Sequence, residues 1–186
     1  MKMTFRWYGK NNDKIKLSTV EISFIPLPGH SFDSYGILAT SSNGQKTLFA
    51  GDAIFPRLEI GKYSLPFTLN QTNYLSSLDK IESLGNLDWC IPGHGDFISK
   101  NVAETIEINK IAIYEIETCI KRIIKKNEKI TTENIVKLVA DTFDLQLSVR
   151  QYALVHFTIK CFLTTLKNNG VLKIEITDNI LYWKLK

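Results

Sequence analysis

The chain is poor in cysteine and in histidine, with three of each among 186 residues. Cys90, Cys119 and Cys161 are odd in number, far apart, and form no Cys-x-x-Cys pair. That spacing excludes a disulfide-stapled scaffold and reads as buried or half-buried thiols in a reducing cytosol. No apolar run approaches the ~20 residues needed to span a bilayer, and the first residues lack a signal-peptide apolar core. The expectation is a cytoplasmic protein with no membrane partner. Repeats and low-complexity tracts are absent. Neither sign of charge dominates: the net charge is +4, and residues 101–186 carry 13 Lys/Arg against 10 Asp/Glu. So mild a surplus permits a nucleic-acid partner without arguing for one. What the chain does have is apolar residues, 44% of the total, enough for a sizeable core.

Turn signals at Gly9 and Asn11-Asn12-Asp13 precede an alternating stretch from Ile15 to Leu27, read as two short strands or one bent one. Gly36–Thr40 and Thr47–Ala50 form the next two strands, joined by a hairpin at Asn43-Gly44. Residues 53–70 read as an irregular loop. A helix follows over about Thr72–Leu84, with Leu75, Leu78, Ile81 and Leu84 on one stripe and Gly85 as its stop. Asp88–Ile91 is a short buried strand, and Asn101–Lys126 is one long helix.

The organisation changes after Asn127. Thr131 or Thr132 caps a helix bearing Ile135, Val136, Val139 and Phe143. Ser148 and Gln151 make a capping box for another helix reaching about Asn168, with Tyr152, Val155, Ile159, Phe162, Leu163 and Leu166 facing inward. Val171–Ile176 and Ile180–Leu185 are strands about a turn at Thr177-Asp178-Asn179. Helix, helix and a two-stranded wing is the order of a winged-helix unit. The chain therefore divides into residues 1–127 and a small unit of residues 128–186.

Three side chains carry chemistry. His30 sits in Pro28-Gly29-His30, Asp52 in Phe49-Ala50-Gly51-Asp52, and His94 in Pro92-Gly93-His94-Gly95. Each alone fits a surface turn as well as a site. Together they fall just after successive strands, where ligands gather in α/β folds. Imidazole and carboxylate donors suit zinc, manganese or iron. The remaining histidine, His156, lies mid-helix and reads as core or flank.

Pro28-Gly29-His30-Ser31-x-x-Ser34, Phe49-x-Gly51-Asp52 and Pro92-Gly93-His94-Gly95 resemble the third, fourth and fifth motifs of the metallo-β-lactamase fold superfamily, in order and in spacing. The segment from Tyr152 to Gly170, with the wing and Trp183 after it, resembles the winged-helix appendage of the β-lactamase-like protein 2 branch, which includes endoribonucleases. The resemblance runs from about Ile15 to the end. It implies an α/β (α+β) fold: half of an αββα sandwich, a mixed, largely antiparallel sheet with flanking helices, followed by a small winged-helix domain. By the same resemblance His30 would ligate one zinc ion, His94 a second, and Asp52 would bridge the two. The reaction would be hydrolysis of an ester, thioester or phosphodiester by water made acidic by two cations.

The sequence departs from the family in two places. Asp33 stands where the family has Gly. The His-x-His-x-Asp-His stretch, source of the other metal ligands, has no counterpart, so the N-terminal half of the fold is expected to be missing. One ligand per ion plus a bridge would hold zinc weakly. Activity would then require a complementing N-terminal half. A homodimer through the sheet face that this half would cover is the other partner expected. The alternative function is a non-enzymatic module, with the winged helix binding nucleic acid or protein through Lys160, Lys167, Lys173 and Lys184.

Overall fold

The computed structural model describes residues 14–63, 65–99 and 101–186, and the turn read at Gly9 and Asn11–Asp13 lies outside them. The elements run β1 (Lys14–Lys16), β2 (Val20–Pro26), β3 (Tyr35–Ser41), β4 (Lys46–Gly51), α1 (Arg57–Tyr63), α2 (Gln71–Ser83), β5 (Trp89–Pro92), α3 (Val102–Lys125), α4 (Thr132–Thr142), α5 (Val149–Asn168), β6 (Leu172–Thr177) and β7 (Ile180–Leu185). The alternating stretch is thus two strands, β1 and β2. Strands β1 to β5 form one sheet in that order. The first four make an antiparallel meander. β5 lies parallel to β4 after the crossover through α1 and α2. The fold is therefore a mixed α/β structure of a sheet with flanking helices.

Period-two alternation assigns the two faces of the sheet. Ile25, Leu48, Ala50 and Cys90 belong to the face that shares a core with Tyr74, Leu78 and Ile81 of α2 and with Ile106, Ile113, Ile116 and Ile120 of α3. On the other face the register aligns Phe24, Ile37, Phe49 and Ile91 across four strands. A second row there joins Ile15, Ile22, Ala39, Thr47 and Trp89. Phe49 is 46% exposed, Ile37 38% and Phe97, whose ring meets Trp89 edge-on, 60%. An apolar sheet face thus lies open on the side away from the helices.

Four local expectations change. Residues 57–63 are helical rather than irregular. Pro56 immediately precedes α1, its carbonyl accepting from the amides of Glu59 and Ile60 at 3.0 and 3.1 Å, so its missing N–H falls outside the helical ladder. The β3–β4 connection spans residues 42–45, longer than a two-residue turn, with the Ser41 amide donating to the Gln45 carbonyl at 2.9 Å. The buried stripe of α2 runs through Tyr74, Ser77, Leu78 and Ile81, while Leu75 and Leu84 are only half-buried. Tyr152 is 41% exposed and stacks on His156 instead of entering the core.

The C-terminal elements pack onto the same core. Ile135, Val136 and Val139 of α4, Ile159, Phe162 and Leu163 of α5, and Trp183 of β7 join the cluster that includes Ile120 and Ile124 of α3. Thr131 caps α4, and the Ser148–Gln151 capping box opens α5. The β6–β7 hairpin turns at Asp178 and Asn179, both left-handed at φ 52° and 62°. Asn and Asp tolerate that conformation better than other side-chain-bearing residues. Trp183 pairs with Ile130 through the backbone, and its indole donates to Thr132 Oγ1 at 2.9 Å, tying the hairpin to the start of α4.

Candidate metal centre

The turn bearing His30 follows β2 and is held from three sides. The Leu27 amide donates to the Ser34 carbonyl at 2.8 Å, closing the loop. The Gly29 carbonyl accepts from Thr68 Oγ1 at 2.9 Å and from the amides of Leu69 and Asn70. Ser77 of α2 donates to the Pro28 carbonyl at 2.6 Å. Gly29 has φ +136°, and a Cβ there would lie 2.4 Å from the Tyr74 backbone, so only glycine fits. Asp33, which stands where the family has Gly, takes no positive φ.

Asp52 follows β4, where the register against β5 shifts between Phe49 and Gly51. The Gly93 amide donates to the Gly51 carbonyl at 2.9 Å and draws the two loops together. A Cβ on Gly93 would meet Asp52 Oδ1 at 2.3 Å, so the second Pro-Gly-His turn leaves the carboxylate its room.

The three side chains expected to form a site are brought together. His30 Nε2 lies 3.3 Å from Asp52 Oδ2, and His94 Nε2 lies 3.6 Å from Asp52 Oδ1. The two imidazoles flank opposite oxygens of one carboxylate. His30 Nδ1 is 3.0 Å from the Phe67 carbonyl. A carbonyl can only accept, so Nδ1 carries a proton that it donates to Phe67, and the ring turns Nε2 toward the carboxylate. A hydrogen bond from the other ring nitrogen is how metal-binding histidines are oriented. Asp52 Oδ1 is buried and has no hydrogen-bond partner. A buried carboxylate oxygen without a donor is costly unless a cation or another donor meets it.

These observations fit two cations bridged by Asp52, and they fit only in part. Among the described residues, no three His, Cys, Asp or Glu side chains are grouped to hold one ion. Each of two positions would receive one imidazole nitrogen and one carboxylate oxygen, where zinc takes three or four protein donors. The His94 side chain is 64% exposed, against 24% for His30 and 29% for Asp52, so the centre is open on the His94 side.

Behind the triad lies a buried polar hub that the sequence pattern did not mark as functional. Asn109, fully buried in α3, accepts on Oδ1 from the Phe55 amide at 3.0 Å and from Tyr74 Oη at 2.9 Å. Its Nδ2 donates to the carbonyls of Phe55 at 2.7 Å and Thr105 at 2.8 Å. All four hydrogen-bonding positions of the amide are used. Burial, and secondarily the nearby Asp52 charge, push the Tyr74 phenol far up, so it remains a neutral donor. The hub fixes Phe55, whose ring stacks on His94 at 6.4 Å and 11° and tilts against His30 at 6.1 Å. The available signal was a lone asparagine in the apolar stripe Ile106, Asn109, Ile113.

His156 lies on the flank as expected, half-buried and 3.8 Å from Glu133. Of the lysines considered for nucleic-acid contact, Lys184 is paired with Glu175 across the hairpin. Cys90 is fully buried, and burial pushes its thiol up to about 12, which removes it as a nucleophile.

No family profile matches the chain, and no curated protein matches it. Solved structures do. The chain is similar to a beta-lactamase domain protein from Burkholderia ambifaria, with a TM-score of 0.79 and 17% identity over 95% of this chain and 51% of that one. It is also similar to a metallo-beta-lactamase family protein from Thermus thermophilus, with a TM-score of 0.70 and 15% identity over 95% of this chain and 53% of that one. These likenesses establish the metallo-β-lactamase fold. The chain spans about half the length of the structures it matches. No helix among the described residues is long and apolar enough to cross a membrane.

Proposed function

We propose that these residues carry half of a two-metal hydrolytic centre of the metallo-β-lactamase type, completed by donors from outside the 186 residues. One observation carries the reading: two imidazole Nε2 atoms flank opposite oxygens of the Asp52 carboxylate, one of which is buried and unpartnered. His30 would hold one ion, His94 the other, and Asp52 both. Zinc suits the donor set. Two bound cations would supply Lewis acidity and a water acidified to near neutrality. The chain's own contribution is orientation: Phe67 fixes the tautomer of His30, Asn109 fixes Phe55, and Phe55 supports both rings. Because two protein donors per ion are too few, no hydrolytic step is assigned to this chain alone.

The open apolar sheet face supports the same reading. It is where a second layer would pack, and exposed apolar patches of this kind mark association surfaces. The occupant we favour is a complementing N-terminal half bearing His-x-His-x-Asp-His, on the same polypeptide or a separate one. The C-terminal elements α4, α5, β6 and β7 are read as a winged-helix unit of the β-lactamase-like protein 2 branch. It serves here as a packed wall of the domain: its core is continuous with that of α3.

The test is complementation. The DNA encoding this chain is read upstream for a frame specifying His-x-His-x-Asp-His, and that segment is co-expressed with it. Zinc-dependent ester or thioester hydrolysis should appear only in the complemented protein and be lost in His94→Ala. Comparable turnover by the chain alone would refute the half-site reading.

A further inference from the structure

The helix α3 has two faces. One carries Ile106, Ile113, Ile116 and Ile120 into the core under the sheet. On the other, Glu104, Glu107, Ile111, Tyr114, Thr118, Arg122 and Lys125 follow one another at intervals of three or four residues, all exposed. At about 100° per residue they keep to an arc of about 100°. Ile111 and Tyr114, at its middle, are 51% and 53% exposed. Beside them a groove of about 460 Å³ runs between α3 and the end of α4. Its walls are Ile111, Tyr114, Thr118 and Arg122 on one side and Thr142 and Phe143 on the other.

Charge identifies the occupant. The acids Glu104 and Glu107 stand at the N-terminal end of the stripe, and the cations Arg122 and Lys125 at its C-terminal end. The helix dipole favours that order. It does not account for two large apolar side chains left open between the charges, at the spacing of a helix–helix seam. A second α3 laid antiparallel across the first, about a twofold axis between Tyr114 and Glu115, does. Each position then faces the one equally far beyond the axis: Glu104 meets Lys125, Glu107 meets Arg122, and Ile111 meets Thr118, each pair occurring twice. A parallel arrangement would set Glu against Glu and Arg against Arg. Within the chain Glu104 touches Arg57 at 2.9 Å and Glu107 touches Lys110 at 3.3 Å, yet both stay exposed, so each has room for a cation from a partner.

This face looks away from the sheet, on the opposite side of α3 from Ile113 and Ile116. It is therefore separate from the open sheet face and stays free when that face is covered. None of His30, Asp52 and His94 lines the groove.

We propose that the outer face of α3 is a self-association surface, on which a second copy of this chain packs its own α3 antiparallel, with Ile111 and Tyr114 seated in the opposing groove. One helix face about 32 Å long offers less than the ~800 Å² per partner of a standard interface. The dimer is accordingly a weak one, ordered by the charge pairs at its rim and loosened by salt. It depends on neither metal nor hydrolysis.

The experiment is sedimentation velocity of the full chain carrying Phe49→Lys, which suppresses association through the sheet face and leaves this contact. At about 0.05 M salt the sedimentation coefficient should rise with concentration, and about 0.5 M salt should weaken the dimer about tenfold. In ¹⁵N spectra the amides of residues 107–122 should shift with concentration, and those of the β6–β7 hairpin should not. Glu107→Arg, at an exposed position, reverses two pairs at once and should weaken the dimer at least about tenfold, as should Arg122→Glu. Glu107→Arg combined with Arg122→Glu should restore it to within about threefold, because the exchanged charges meet across the twofold axis. Glu107→Arg combined with Lys160→Glu, on the exposed side of α5, has the same net charge and should not restore it. Circular dichroism should show every variant folded. A monomer at every concentration would overturn the proposal and hand the face to a partner of different sequence. Indifference to both single reversals, or equal rescue by Lys160→Glu, would overturn it as well.

Discussion

Replacing Asn109 by Leu removes a polar hub while nearly keeping its volume, so the consequence comes from orphaned groups rather than from a cavity. The Thr105 carbonyl is four residues back in the same helix and keeps its intrahelical partner. Three groups lose theirs: the Phe55 amide, the Phe55 carbonyl and the Tyr74 hydroxyl. Asn109 and Tyr74 are fully buried and Phe55 nearly so, and water does not replace the lost donors without rearrangement. At about 1–3 kcal/mol for each buried group left unsatisfied, with some relaxation, the loss is roughly 3–6 kcal/mol. That is a large part of the roughly 5–15 kcal/mol typical of a domain. Urea unfolding followed by far-ultraviolet circular dichroism measures it. Ile113→Val, at an equally buried site one turn along α3, is the control and should cost only about 1 kcal/mol. If Asn109→Leu falls within about 1 kcal/mol of the wild type, the hub does not support Phe55 in the way described.

Three further outcomes are expected. Gly93→Ala places a Cβ against Asp52 Oδ1 at 2.3 Å while leaving the hydrophobic core untouched, so the complemented protein should fold near-normally yet lose metal; full metal content would show that the carboxylate does not need this space. Lys184, with Lys129 beside it, holds the Glu175 carboxyl down at about 2 from its ordinary 4.5. A depressed folded-state pKa stabilises above the unfolded value and is lost as pH falls through the folded one. The hairpin contribution should therefore be complete above about pH 4.5 and gone by about pH 2, and Glu175→Gln should flatten stability across that window; an unchanged acid profile would remove the role given to this cluster. Phe49→Lys puts a charge into the middle of the open sheet face, so any concentration-dependent association of the isolated chain, followed by light scattering, should weaken at least about tenfold; association indifferent to this change would place the contact elsewhere.

Much of the site was legible because its residues are punctuated locally. Gly29 and Gly93 mark turns at strand ends, and His30, Asp52 and His94 are the donor types that such turns present. The helices α3 to α5 were legible from stripe and cap, with Ser148 and Gln151 the plainest case. What stayed hidden depends on contacts distant in sequence. The Phe67 carbonyl lies 37 residues from the ring it orients, and Asn109 lies 54 residues from the backbone it satisfies. No local pattern encodes either partner. α1 was missed because Pro56 and Gly61 read as loop punctuation, although Pro56 only precedes the helix and Gly61 lies within it. Tyr152 was misplaced because it falls in line with the apolar residues of α5 but lies in the first turn, beyond the reach of the core that buries Ile159 and Phe162.

Metal content tests the central claim most directly. The isolated chain is dialysed against zinc, then against metal-free buffer, and its metal is counted by elemental analysis beside His30→Ala and Asp52→Asn. With one imidazole and one shared carboxylate oxygen for each ion, the chain should retain well below one zinc per molecule, and the two variants should differ little from it. One zinc retained per chain and lost in both variants would show that these residues make a complete site unaided, and would contradict the account.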